Sequence, residues 1–192
     1  MNRDRTEDIL RTSLALFLEK GYHGATTREV CRRLGVSSGL FFHYFSSKLE
    51  VYEQLVASAV RAIALDPDAG KADPLGHLQR RVEDVLALLA ADRRHAAMFV
   101  FMGQVQRNPG ISPVADALVR DQDVVRASVP LIEAGQASGV IRPGSALALS
   151  AALWCAVQGF AEELAVHPDL PLPEADWYLD LVRAPAAAIS PA

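Results

Sequence analysis

Thr26-Thr27-Arg28-Glu29-Val30-Cys31-Arg32-Arg33-Leu34-Gly35-Val36-Ser37-Ser38-Gly39-Leu40-Phe41-Phe42-His43-Tyr44 is the stretch whose reading decides the fold. Thr26 stands three residues before Glu29, the spacing of a capping box, in which a hydroxyl holds the first free N–H groups of a helix. Val30 and Leu34 follow one helical turn apart and turn inward together. Gly35 permits the positive φ that a tight reversal needs. Val36 plugs the space between the two helices, and Ser37 or Ser38 restarts the chain as a cap. Two short helices joined by Leu34-Gly35-Val36-Ser37 make a helix-turn-helix pattern.

The flanks extend the same reading. Strict alternation of apolar and polar residues is absent, and helical spacing recurs. Upstream, Leu10, Leu14, Phe17 and Leu18 make one stripe, with Gly21 as the stop. Downstream, Ser46-Ser47 caps a helix carrying Val51, Leu55 and Ala59 on one face. Asp66-Pro67-Asp68-Ala69-Gly70 and Pro74 break the chain. A helix then carries Leu75, Leu78, Val82, Leu86 and Leu89. An apolar stretch from Ala96 to Val105 ends at Asn108-Pro109-Gly110. Ser112-Pro113 opens a helix expected to run towards Gly135 with a kink at Pro130, which lacks an N–H. A long Ala/Leu helix spans about Ser145 to Val166, and an amphipathic helix with Trp177 and Leu181 follows a proline-rich connection. Ala186–Pro191 reads as a fraying tail.

The chain has 192 residues, 51% of them hydrophobic and 22% charged, which supports a buried core and excludes a disordered chain. The net charge of −4 argues against a surface that binds nucleic acid everywhere. That charge is unevenly placed. Residues 1–50 hold eight Lys/Arg against six Asp/Glu (+2), and residues 51–192 hold eleven against seventeen (−6). A mildly basic end on an acidic body directs nucleic-acid binding to the first fifty residues. The two cysteines, Cys31 and Cys155, exclude a disulfide scaffold and suit a reducing, cytoplasmic setting, and no secretory signal is read at the start. Pro143 to Ala161 is free of charge, but its alanines, Ser150, Gln158 and the Glu162-Glu163 that follow favour a buried helix over a membrane span.

Catalysis finds no support. His23, His43, His77, His95 and His167 are scattered, without HExxH, CxxC, GxSxG or a phosphate loop, and neither a metal site nor a cofactor is expected.

Residues 5–55 resemble the N-terminal domain of the TetR family of transcriptional regulators. The resemblance lies in Ile9-Leu10, Leu16-Phe17, Gly21-Tyr22, Ala25-Thr26-Thr27, Arg28-Glu29-Val30, Leu34-Gly35-Val36-Ser37, Gly39, His43-Tyr44-Phe45 and Lys48. It implies an all-α protein with a three-helix DNA-binding domain over residues 1–50 and a linking helix at about 47–64. It also implies an effector-binding and dimerisation domain over 51–192. The implied function is a ligand-responsive transcriptional regulator, by default a repressor, that binds a pseudo-palindromic duplex operator as a homodimer and is released by a small molecule.

Candidate roles follow residue by residue. Arg28 can reach a guanine edge or grip phosphate. Ser37, Ser38, Gly39 and Leu40 occupy the start of the reading helix, where base edges come closest. Thr27, Tyr44 and Lys48 suit phosphate, and His43 suits the DNA backbone. Three positions depart from the family pattern. Ser38 replaces a frequent basic residue, Leu40 a small hydroxyl residue, and Phe42 a tyrosine. These departures predict weaker phosphate anchoring and contact with a thymine methyl. Phe17, Phe41 and Phe45 are expected in the core.

For an effector, expected to be apolar or aromatic, the candidates are His95, Met98, Phe99, Phe101, Met102 and Gln106, faced by Trp154, Cys155 and Gln158. For the dimer, as the family implies, they are Ala148, Ala151, Ala152, Trp154, Gly159, Phe160, Leu164, Trp177 and Leu181.

Overall fold

A computed structural model describes residues 2–65 and 70–185, with side chains from residue 5. The expected tail at 186–191 and the breaker residues 66–69 lie outside the described residues. Among the described residues the fold is all-α, as predicted. It comprises α1 (Asn2–Gly24), α2 (Thr27–Leu34), α3 (Ser38–Tyr44), α4 (Lys48–Ile63), α5 (Pro74–Ala91), a 3₁₀ turn (Arg93–His95), α6 (Ala96–Arg107), α7 (Pro113–Asp121), α8 (Val124–Ala127), α9 (Val129–Ala137), α10 (Ala146–Val166) and α11 (Ala175–Leu179). One isolated antiparallel bridge joins Ile141 to Arg183. No described helix is long and apolar enough to cross a membrane.

The chain packs as two compact units, Met1–Ala62 with Arg94–Asp121 and Ile63–Arg93 with Gln122–Ala192. These packing units do not follow a cut at residue 50, because α6 and α7 join the helices of the first. That unit closes around Leu16, Phe17, Phe41, Phe45, Tyr52 and Phe101, all buried. Phe17, Phe41 and Phe45 are thus core, as their spacing predicts. A web of rings ties α1, α4 and α6 together: Phe17–Tyr52 at 5.9 Å, Tyr22–Tyr52 at 5.1 Å and Tyr52–Phe101 at 5.4 Å. Gly21, with φ +69°, interrupts α1 where the sequence places a stop.

In the second unit α5 buries Leu78, Val82, Val85 and Leu89. Val85 takes the inward position that the sequence assigns to Leu86, and Leu75 and Leu86 are half-buried. The helix expected from Ser112 to Gly135 is three helices. Asp123 accepts N–H bonds from Val125 and Arg126 and starts α8, and Ser128 ends it by returning its hydroxyl to the Val124 carbonyl at 2.7 Å. Pro130 therefore sits in the first turn of α9, where a missing N–H costs nothing, and it kinks no helix. Ser145 caps α10 by accepting from Ala148 N–H. The last helix is short. The chain after α11 instead lies along residues 140–142, with Arg142 N–H on Val182 O at 2.9 Å and Ala184 N–H on Val140 O at 3.0 Å.

Candidate nucleic-acid interface

Local capping bonds and one glycine set the interface. Thr26 Oγ1 accepts from Glu29 N–H at 3.2 Å and starts α2. Gly35, at φ +66° and ψ +33°, ends it. Gly35 N–H bonds Arg32 O at 3.3 Å and Val36 N–H bonds Cys31 O at 3.0 Å, the double closure of a Schellman turn. Ser37 Oγ then accepts from Leu40 N–H at 3.2 Å and starts α3. Ser47 Oγ accepts from Glu50 N–H at 3.1 Å, while the Glu50 carboxylate returns to Ser46 N–H at 2.6 Å. The Ser46 hydroxyl donates to the same carboxylate at 2.7 Å, and that bond, with the one from Ser46 N–H, holds the Glu50 carboxyl below the ordinary glutamate range.

The seven residues of α3 divide cleanly. Phe41 and the following Phe45 point inward at 1% exposure each, and Ser38, Gly39, Phe42 and His43 form the outward face. Leu40 and Tyr44 flank it, half-buried. Phe42 is 53% exposed, a large apolar surface facing water from a seven-residue helix. Gly39 is helical, and a Cβ built there would meet only Ser37 Oγ at 3.8 Å. The chain's own packing does not require a glycine at this position.

The cations around this face differ in availability. Arg33 makes a two-pronged pair with Glu19, at 2.8 and 2.6 Å. Lys20 donates to Glu29 at 2.6 Å, and Arg32 and Arg33 stand 3.7 Å from the same carboxylate. The Lys20 hydrogen bond holds the Glu29 carboxyl below its ordinary range. Arg28 is exposed, and among the described residues no side chain pairs with it.

Lys48 has a task that the sequence did not reveal. Its ammonium donates to Tyr22 O at 2.6 Å and Ala25 O at 2.8 Å, and lies 4.2 Å from the centre of the Tyr22 ring. It fastens the start of α4 to the last turn of α1. Burial holds its pKa below the ordinary lysine value. Partners 26 and 23 residues away leave no local signal.

The residues proposed from sequence for an effector divide between the packing units. Met98, Phe99, Phe101, Met102 and Gln106 lie on α6 with His95 just before it. Phe101 and Met102 are core, whereas Gln106 is exposed. In the second unit Trp154 is 5% exposed, its indole N–H held by Ser128 Oγ at 2.7 Å, whereas the adjacent Cys155 is exposed. These two neighbours therefore do not line one pocket wall together: Trp154 is inward and Cys155 outward on α10. Gln158 donates to Glu162 at 2.7 Å. Of the expected dimer residues, Trp154 and Leu164 correct the reading, because both are turned into the core of their own unit. Ala148, Ala152, Gly159, Trp177 and Leu181 are exposed, and Ala151 and Phe160 are half-buried.

Comparison with known proteins bears on this geometry. Residues 9–55 match the family model described as bacterial regulatory proteins, tetR family. The chain is similar to the HTH-type transcriptional repressor KstR2 of Mycobacterium tuberculosis, 26% identical over 145 residues that cover 72% of this chain and 70% of the relative. It is similar to the repressor BepR of Brucella suis, 26% identical over 168 residues, 82% of this chain and 78% of the relative. Among solved structures, the regulator PfmR of Thermus thermophilus shares the fold with a TM-score of 0.67 at 23% identity, over 90% of this chain and 93% of that one.

Proposed function

The chain belongs to the TetR family of bacterial regulatory proteins and is a DNA-binding transcriptional regulator, and we propose that it is a repressor that holds a pseudo-palindromic operator as a homodimer and leaves it when a small apolar or aromatic effector binds. Residues 1–50 read DNA, α4 links, and the rest of 51–192 binds effector and partner. The observation that carries the reading is the outward face of α3, with Gly39 small for no internal reason, together with Arg28 exposed and unpaired among the described residues on α2.

On this reading Ser37, Ser38, Gly39 and Leu40 meet base edges, and Arg28 takes a guanine or a phosphate. Thr27, His43 and Tyr44 hold the backbone. Lys48 has one N–H left for a phosphate after its two carbonyls. Phe42 and Leu40 offer apolar contact to a thymine methyl. Exposed small residues along α10, together with Trp177 and Leu181, form the partner face. The effector residues are drawn from His95, Met98, Phe99, Phe101, Met102 and Gln106 at α6 and from Trp154, Cys155 and Gln158 on α10.

Selection of bound duplexes from a randomised pool tests the DNA reading. The expected product is a two-fold site with A·T enrichment at the step under Leu40. A pool left unenriched overturns the regulator reading, and enrichment without two-fold symmetry overturns the dimer. Screening compounds against the selected site then tests effector release.

A further inference from the structure

The first packing unit contains a cleft of about 630 Å³ that lies wholly within it, beside the interruption of α1 at Gly21. That volume falls in the range of small-molecule sites, roughly 300–1,000 Å³, and is too small for a docked helix. It shares only Phe101 with the effector residues proposed above.

Its walls are aromatic. Phe17 and Tyr22 from α1, Tyr52 from α4 and Phe101 from α6 line it, with ring centres 5.1–6.2 Å apart where they meet. Tyr52 is only 3% exposed, and it lines the cleft. Among the described residues its hydroxyl has no hydrogen-bond partner. Burial, with Asp116 nearby, pushes its pKa to about 12, so the hydroxyl is a standing donor and acceptor. The nearby acids are occupied: Glu53 accepts from Ser112 Oγ at 2.5 Å and Asp116 accepts from Gly110 N–H at 2.9 Å.

The rim is basic. Lys20 is held by Glu29, and the His23 ring lies edge-on to Tyr22 at 5.3 Å. Arg107, at the end of α6, is exposed and unpaired among the described residues. Aromatic walls, an unpartnered tyrosine hydroxyl and one free guanidinium are complementary to a flat ring that carries a carboxylate.

We propose that this cleft is a second ligand site, on the DNA-reading unit itself, for a small planar aromatic carboxylate whose ring lies against the wall formed by Phe17, Tyr22, Tyr52 and Phe101 and whose carboxylate meets Arg107. Such a ligand touches α1 on both sides of Gly21 and reaches Tyr22, whose carbonyl Lys48 holds. The regulatory consequence rests on the DNA-binding reading, whereas the site itself does not.

Binding of 2-naphthoate and of the neutral 2-naphthamide to the full chain, without DNA, tests the site by isothermal titration. The wild type is expected to bind the acid at least about tenfold more tightly than the amide. Arg107→Gln is expected to abolish that preference, and Tyr52→Phe, which preserves the ring, to weaken both ligands. Arg107 is on the surface, so an unchanged thermal midpoint should confirm that the variant folds. Absence of binding to about 1 mM, or an acid preference that survives Arg107→Gln, overturns the site. Because DNA is absent from this experiment, failure of the DNA reading leaves its outcome untouched.

Discussion

The helix-turn-helix segment and α10 solve one problem in opposite ways: each must hold a helix firmly while leaving one face available. α2 and α3 are eight and seven residues long, too short to persist alone, and their ends are fixed by Thr26, Gly35, Ser37 and the Phe45 N–H on Phe41 O. α10 has 21 residues, one cap at Ser145, and a buried face of Ser150, Leu153, Trp154, Val157, Ala161 and Leu164. The first arrangement is held by directed bonds at its ends and the second by area along its length. Single substitutions should therefore break the first and scarcely disturb the second.

The largest effect is expected at the mooring of the motif. Lys48→Met removes two charge-assisted bonds and leaves two carbonyls without their donor, at a cost of about 3 kcal/mol. Urea denaturation followed by tyrosine signals, which report mainly on the first unit, should show it. An unchanged midpoint would mean that water replaces the ammonium.

Arg28→Ala separates reading from folding. With no partner inside the chain it should leave the urea midpoint alone and weaken DNA binding by about 2 kcal/mol. The salt dependence assigns the contact. A slope shallower by about one unit indicates phosphate, and an unchanged slope with relaxed choice at one base pair indicates a base edge.

The two glycines sharpen the comparison directly. Gly35→Ala places a side chain at φ +66°, costing about 1–2 kcal/mol and disturbing the turn between α2 and α3. Gly159→Ala goes the other way. The residue is helical and its Cβ would meet nothing within 4 Å, so the isolated chain should gain about 0.5–1 kcal/mol. On the proposed partner face that same methyl should weaken self-association, which sedimentation across a concentration series would reveal. Stabilisation without loss of association would move the interface off this stripe.

What was legible in the sequence follows from the reach of each interaction. Thr26, Ser37, Ser47 and Ser145 each bond an N–H three residues on, so a local window suffices to read them. The core phenylalanines are legible because period and size agree. The Lys48 mooring and the Glu19–Arg33 pair connect residues 14 to 26 apart, and sequence alone shows only surface charges there. Position 85 rather than 86 faces inward on α5 because the packing of neighbouring helices chooses between adjacent apolar residues. The run from 112 to 135 has helical composition throughout, and Asp123 and Ser128 divide it by bonding to the backbone, an option that periodicity does not register. The availability of Arg28 was not legible either, since Arg32 and Arg33 lie within five residues of it and are engaged.

Only Phe45, Ser46 and Ser47 separate the reading helix from α4, and the ammonium that begins α4 grips the far end of α1. The motif consequently has no swivel of its own. It is keyed to the shaft it rides on, so on the proposed reading a rotation of α4 carries the exposed face of α3 with it and alters how that face meets an operator.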